Sequence, residues 1–260
     1  MRVARFVVPD ADPRYGIVDE DGIVVLRGHP LVAGYEPTGE RVPLDDARLL
    51  APVIPSKVVC VGLNYAEHRA DMAYQGVNDA NDHPLIFLKP NTAIVGPGDP
   101  IRVPPVEGRI THEAELAVVI GRVAKQITAA DWQDYVFGYT IANDVSARDQ
   151  MFADGQWSRS KGYDTFCPIG PWIETEFDPS ASHEIRSWVD DESRRHGDTK
   201  DMIFGVGAIL EFVTDAMTLL PGDVVITGTP SGLGGFLPGQ TVRMSIDGIG
   251  ELSNPALARD

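Results

Sequence analysis

The sequence predicts a β-rich α+β fold of mixed, largely antiparallel strands, with a small N-terminal β module at 1–52 and a main domain at 53–260. Three observations carry this. Short β-branched or apolar runs bounded by Gly, Pro or Asp recur along the chain, as suits a pleated, half-buried surface. Helical spacing occurs in few places and does not alternate regularly with the strands, which argues against a doubly wound parallel sheet. Pro52 and Pro55 in LLAPVIPSKVV each fix φ and bias the preceding residue to extended structure, marking a boundary.

Taken in order, RVARFVV reads as an edge strand. YGIVDEDGIVVL reads as a hairpin turning at DEDG, 19–22. A polar stretch punctuated by Pro and Gly runs on to Arg41. KVVCVGL is a buried strand, NYAEHRADM a short helix, and PLIFLKP and AELAVVIG are apolar strands. AADWQDYVF, 129–137, has the spacing of a helix. VFGYTIANDV and GPWIET return to the strand pattern. TKDMIFGVGAILEFVTDAMTL, 199–219, reads as the main helix, stopped by Pro221 and Gly222, and DVVITGTP closes the series. No internal repeat or low-complexity tract is present.

The 260 residues carry 38 acidic and 22 basic side chains, a formal net charge of −16. A field of that sign repels phosphate backbones and anionic lipid, so nucleic acid and membrane surfaces are poor partners. An anionic small molecule stays open, provided a metal or a few buried cations meet it. No apolar run approaches the about 18 residues of a membrane span. The N-terminal apolar stretch is too short for a signal-peptide core. Cys60 and Cys167 sit in apolar sequence and read as buried reduced thiols, so a cytoplasmic protein is expected.

Glu113 and Glu115 stand at i and i+2 of the strand candidate RITHEAELAVVIG, which puts both carboxylates on one face and His112, Ala114 and Leu116 on the other. The run LAVVI looks fully buried, and burying paired carboxylates is costly unless a cation sits between them. A third acid, Asp144, follows at the end of the next apolar strand candidate. An all-oxygen set suits hard cations, Mg²⁺ first, then Mn²⁺ or Ca²⁺. For such an acid pair alone, strand-edge charges with surface partners are the commoner explanation. Zinc is disfavoured, because no Cys/His set has ligand spacing.

VCVGLNYAEHRADM (59–72), IFLKP (86–90), THEAELAVVIG (111–121), NDVSARD (143–149), GQWSRSKGYDTFCPIGPW (155–172) and VVITGTPSG (224–232) fall in the order seen in the fumarylacetoacetate hydrolase family. The chain resembles that family from residue 53 to about 250, and is most similar to its acylpyruvases, oxaloacetate decarboxylases and hydroxyheptadienedioate isomerases. The resemblance implies a mixed β-roll or β-sandwich C-terminal domain, a divalent metal and a homodimer. It makes Glu113, Glu115 and Asp144 the metal ligands, sets Lys161 beside the substrate oxygens, and has Thr229 bind a substrate carboxylate through hydroxyl and backbone. The glycines around Thr229 lack a phosphate-loop ending, and GTPSG lacks the spacing of a nucleophile elbow.

Where relatives carry a His-x-x-Glu dyad on a lid, this chain has His68 and Asp71, one methylene shorter. An imidazole steered by a carboxylate is a general base toward water. The segment YQGVNDANDHP (74–84) then reads as the lid. Arg148 and Gln150 are carried over from the resemblance as substrate contacts. Several relatives have Gln where this chain has Met151, with Gln150 just before it, and on a strand-like segment a one-residue shift reverses the face.

A 2-oxo acid chelated by the metal stabilises an enolate, and that serves three reactions. The first expectation is cleavage of a C–C bond in a short β-diketo or β-keto acid, as acylpyruvate hydrolase or oxaloacetate decarboxylase. The second is an isomerase or decarboxylase of longer hydroxydienedioates, as in aromatic catabolism. A non-catalytic, metal-stabilised binding protein is the third. Substrate length is expected to depend on the lid and on residues 202–204.

Overall fold

The computed structural model describes residues 1–74, 82–232 and 234–259. Its centre is a 12-stranded sheet whose path runs Pro37–Val42, Gly22–Leu26, Arg14–Asp19, Arg2–Val7, Cys167–Glu174, Val136–Asn143, Ala114–Ile120, Val224–Ile226, Val58–Gly62 and Leu85–Lys89. Pairing is antiparallel except where Val224–Ile226 meets Val58–Gly62 and where Ile94–Val95 joins Cys167–Glu174. A five-stranded sheet (Glu192–Asp198, Glu184–Val189, Thr241–Ile246, Gly250–Ala258, Ile101–Val103) covers one face. The β-rich α+β class expected from the sequence is what is observed.

Between the sheets lies the main core. Leu116, Val118 and Ile120 from the central strand meet Ile185, Met244 and Leu252, together with Ile209 and Val213 of the helix Val206–Ala216. The alternate residues Ala117 and Val119 face Val58, Cys60, Cys167 and Ile226 on the other side. Every residue of Ala114–Ile120 is therefore buried, and a strand covered on both faces reads as a continuous apolar run. Both cysteines are free and buried, as expected.

The hairpin at 19–22 forms as expected, with Asp19 opposite Gly22. Gly22 has φ +129°, and a Cβ there would lie 2.5 Å from the Val42 carbonyl oxygen, so only glycine fits. Three expectations need correction. Arg2–Val7 is an interior strand, paired with Arg14–Asp19 on one side and with Cys167–Glu174 and Arg48–Leu50 on the other. Its alternating apolar side chains look alike in an edge or an interior position. The helix expected at 129–137 is a 3-10 turn at Trp132–Tyr135 that passes into the strand Val136–Asn143. Pairing of that strand with Ala114–Ile120 outweighs the local helical spacing. The helix expected at 199–219 is reduced to Val206–Ala216, preceded by a 3-10 turn at Thr199–Asp201. Asn64 supplies the reason. It accepts from Phe204 N–H at 2.8 Å through Oδ1, donates to the Phe204 carbonyl at 3.0 Å, and its own carbonyl accepts from Ile203 N–H at 2.8 Å. Those bonds hold the chain extended just before Gly205.

Asp223 ties the start of the main domain to the strand Val224–Ile226. Its carboxylate accepts from Ser56 N–H at 3.0 Å, Ser56 Oγ at 2.6 Å, Lys57 Nζ at 2.5 Å and Leu220 N–H at 2.8 Å. Asp223→Ala leaves several sheltered donors unpaired and is expected to cost about 2–4 kcal/mol. Urea unfolding measures it, and a loss below about 1 kcal/mol would mean that water replaces the carboxylate.

Candidate active site

Sheet register assembles the acidic cluster. Ala114 pairs with Asn143 and Glu115 with Ala142, and Asp144 N–H donates to the Glu113 carbonyl at 2.9 Å. Directly opposite residues share a face, so Glu113, Glu115 and Asp144 converge on one side of the sheet. All three are buried, at 4%, 2% and 1% exposure, with ligand oxygens within 4.8 Å of one another. The side chain of Asn143 accepts from Glu113 N–H at 3.1 Å and secures the bend before the strand. On the other flank, Gly228 N–H donates to Glu115 Oε2 at 2.6 Å. Gly228 has φ +93°, and a Cβ there would come within 2.8 Å of Asn64 Cβ.

Cations answer two of the three acids. Lys161 Nζ, on the short helix Ser158–Lys161, lies 2.9 Å from Glu113 Oε2 and also bonds Asp144. Lys89 Nζ lies 2.8 Å from Asp144 Oδ1, and Arg148 Nη1 lies 3.5 Å from Glu113 Oε1. Burial works against ionising Glu113, yet Lys161 beside it holds its carboxyl well below the usual range. Burial likewise opposes the Lys161 ammonium, but Asp144 and Glu113 keep it charged above its ordinary range. Glu115 has no cation within 4.0 Å among the described residues. Burial, then Asp144 and Glu113, push its carboxyl well up. Three buried carboxylate groups, one of them uncompensated, fit a hard divalent cation held by Glu113, Glu115 and Asp144.

His68 and Met72, one turn apart on the helix Ala66–Tyr74, both line the cavity over the acids. His68 is 4% exposed, and its Nδ1 has no hydrogen-bond partner among the described residues. Burial lowers its pKa to about 4, so the imidazole is neutral at pH 7. Asp71 lies on the outer flank, exposed, and no hydrogen bond joins it to His68 among the described residues. Most of the lid expected at 74–84, residues 75–81, lies outside the described residues.

SARDQMF is not the strand-like segment expected. Only Ser146–Ala147 is strand, and Arg148–Asp154 is a helix that stops at the left-handed Gly155. On a helix, i and i+3 share a face, so Arg148 and Met151 line the cavity together. Gln150 points elsewhere and accepts from the Tyr163 hydroxyl at 2.9 Å. Thr229 does line the cavity, but its hydroxyl is already used. It donates to the Ala114 carbonyl at 3.0 Å and accepts from Arg195 Nη1 at 2.9 Å. Ile203 and Phe204 bond to Asn64, Met202 bridges to Tyr65, and none of the three lines the cavity.

Two buried cations have no assigned role in the sequence reading. Lys89 had a faint signal, a lysine ending the apolar run LIFLK. Arg195 had none, since ESRRHGD looks like an exposed polar strand.

The C-terminal family of fumarylacetoacetate (FAA) hydrolases matches residues 57–256. The chain belongs to the fumarylacetoacetate hydrolase family. It is an enzyme of that family, and residues 1–52 match a second family, described as Rv2993c-like, N-terminal. A 2-hydroxyhepta-2,4-diene-1,7-dioate isomerase from Mycobacterium marinum is similar in structure, with 47% identity, TM-score 0.89, and coverage of 99% of this chain and 98% of that one. The mitochondrial oxaloacetate tautomerase fahd2 of Xenopus laevis is 42% identical over 221 residues, 80% of this chain and 68% of that protein. A maleylpyruvate hydrolase from Sphingobium sp. SYK-6, solved with manganese(II) and pyruvate, is 32% identical with TM-score 0.81 and covers 100% of both chains. Among the described residues, no helix is long and apolar enough to cross a membrane.

Proposed function

We propose that this family member is a Mg²⁺- or Mn²⁺-dependent enzyme that moves a proton between the keto and enol forms, or between double-bond isomers, of a short 2-oxo acid. The observation that carries the choice is His68, a buried neutral imidazole lining the cavity over the acidic cluster, with Asp71 exposed and not hydrogen-bonded to it among the described residues. Proton transfer needs one group alternating between base and acid, whereas hydrolysis also needs a water oriented for attack. The relatives described as an isomerase and a tautomerase point the same way.

When bound at Glu113, Glu115 and Asp144, the cation supplies positive charge where negative charge develops on the 2-oxygen of the substrate. The chain's own groups do the rest. Lys161 and Arg148 bring further positive charge to the cavity and favour an anionic ligand. His68 takes a proton from the carbon next to the carbonyl and returns it at the alternative position. Met72, Met151 and Leu63 line the cavity with apolar surface that limits water around the transferring proton.

C–C cleavage by hydrolysis or decarboxylation is the second reading. It is supported by the manganese- and pyruvate-bound hydrolase of similar fold.

The deciding experiment follows the enol absorbance of oxaloacetate and of acetylpyruvate together with pyruvate release, with Mg²⁺, with Mn²⁺ and with EDTA, against metal-only blanks. Metal-dependent loss of the enol without matching pyruvate is expected. His68→Ala should slow it by about 10²–10⁴-fold and leave Mn²⁺ affinity unchanged. Pyruvate appearing in step with substrate loss would establish the cleavage reading. No metal-dependent reaction of either kind would refute both for these substrates.

A further inference from the structure

Arg195, on the strand Glu192–Asp198, is a buried charge with no carboxylate in direct contact among the described residues; Glu113 and Glu115 act on it only from farther away. It is 2% exposed, and its guanidinium donates to three neutral acceptors, Thr229 Oγ1 at 2.9 Å, the His112 carbonyl at 3.2 Å and the Pro230 carbonyl. Its Nε has no partner among the described residues. No carboxylate oxygen of those residues lies within 4.0 Å of it. The other buried cations of this region differ, since Lys161, Lys89 and Arg148 each reach Glu113 or Asp144 directly. Arg194, next in sequence, is partly exposed and pairs with Glu192.

A guanidinium cannot shed its charge, and burying one without a carboxylate costs several kcal/mol unless the charge is used. Here it acts on Glu113 and Glu115 at longer range and reaches the cavity wall by direct contact at Thr229. Thr229 lines the cavity, and its hydroxyl is the atom through which Arg195 reaches the site. That hydroxyl gives its proton to the Ala114 carbonyl, one residue from Glu115, so guanidinium, hydroxyl and central strand form one rigid chain. The Thr229 hydroxyl has no proton left for a ligand, so Arg195 acts on an anion at this wall by Coulomb attraction across Thr229.

We propose that Arg195 is a positioning residue for anion binding. It clamps the 228–230 segment at Thr229 and Pro230 and charges that side of the cavity from behind. This rests on the 2-oxo acid reading above, but it makes a separate electrostatic demand. The charge that attracts an anion at Thr229 opposes a cation at the neighbouring Glu113 and Glu115, so its removal must affect the two ligands in opposite directions.

The test titrates wild type, Arg195→Gln and Arg195→Lys with Mn²⁺, and then with oxalate in the presence and absence of Mn²⁺, by calorimetry. Arg195→Gln is expected to bind Mn²⁺ at least as tightly as wild type and oxalate about tenfold more weakly. Arg195→Lys should recover part of the oxalate affinity. A variant that loses both ligands together would show a purely structural role and overturn the proposal. So would unchanged oxalate affinity. If wild type bound no Mn²⁺, the metal reading would fall, and the metal-free oxalate titration would still decide the role of Arg195.

Discussion

Glu115→Ala is expected to abolish Mn²⁺ binding and to lower turnover by at least about 10³-fold, without unfolding the metal-free protein. The asymmetry follows from the neighbours of each acid. Glu113 and Asp144 are held by Lys161, with Arg148 and Lys89 at their outer oxygens. Removing either strands buried cations. Glu115 is met by one backbone N–H, and burial with the repulsion of the other two acids outweighs the pull of Lys161 from farther off. Its removal relieves repulsion in the metal-free state and deletes a ligand in the loaded one. Thermal unfolding in EDTA should therefore be unchanged or slightly raised in Glu115→Ala, while the rise in Tm that Mn²⁺ gives wild type should vanish. A Glu115→Ala protein that kept wild-type Mn²⁺ affinity would show that the ligand set is wrong.

Lys89→Met is expected to be the most destabilising single substitution near the site, at about 3–5 kcal/mol. The Lys89 ammonium is 1% exposed and donates to the Val145 carbonyl at 3.0 Å, the Phe166 carbonyl at 2.8 Å and the Lys161 carbonyl, while lying 2.8 Å from Asp144 Oδ1. Methionine fills the stem but strips the Val145 and Lys161 carbonyls of this donor, leaves Phe166 only the Val145 N–H, and removes the cation 2.8 Å from Asp144 Oδ1. At about 2–4 °C per kcal/mol for a chain of this size, Tm should fall by roughly 10 °C. Lys89→Arg should not restore it, because a planar fork does not replace a compact ammonium among separate acceptors. A fall of less than about 2 °C would mean that water or a shifted backbone satisfies the same carbonyls.

The acid pair shows what a strand sequence can disclose. A period of two puts Glu113 and Glu115 on one face whatever the rest of the chain does, and the apolar run after them announces burial. Asp144 was legible as an acid ending an apolar strand. Its place opposite Glu113 depends on the register of Val136–Asn143 against Ala114–Ile120, which no local pattern states. The lysine in SRSKGYDT and the threonine in GTPSG were legible through their motifs. That the Thr229 hydroxyl is taken by Arg195 and Ala114 was not, because those partners are 34 and 115 residues away.

Where the sequence reading failed, distant contacts overrode local preference. The spacing at 129–137 is helical, yet a sheet neighbour claims residues from Val136 onward. The helix expected from 199 cannot begin before Asn64 releases the backbone at 203–204. Two turns of helix, rather than strand, at Arg148–Asp154 put Met151 in place of Gln150 on the cavity wall.

The strand-rich class, the family, the acid set and the identity of the facing histidine are all written in short-range periodicity or in contiguous motifs. Folding adds which cations answer which acids, the exposure of Asp71 against the burial of His68 in the cavity wall, and the place of Arg195 behind Thr229. Those are matters of register and of contacts between residues far apart in the chain, where burial turns a lone charge from an ordinary surface feature into a costly and directed one.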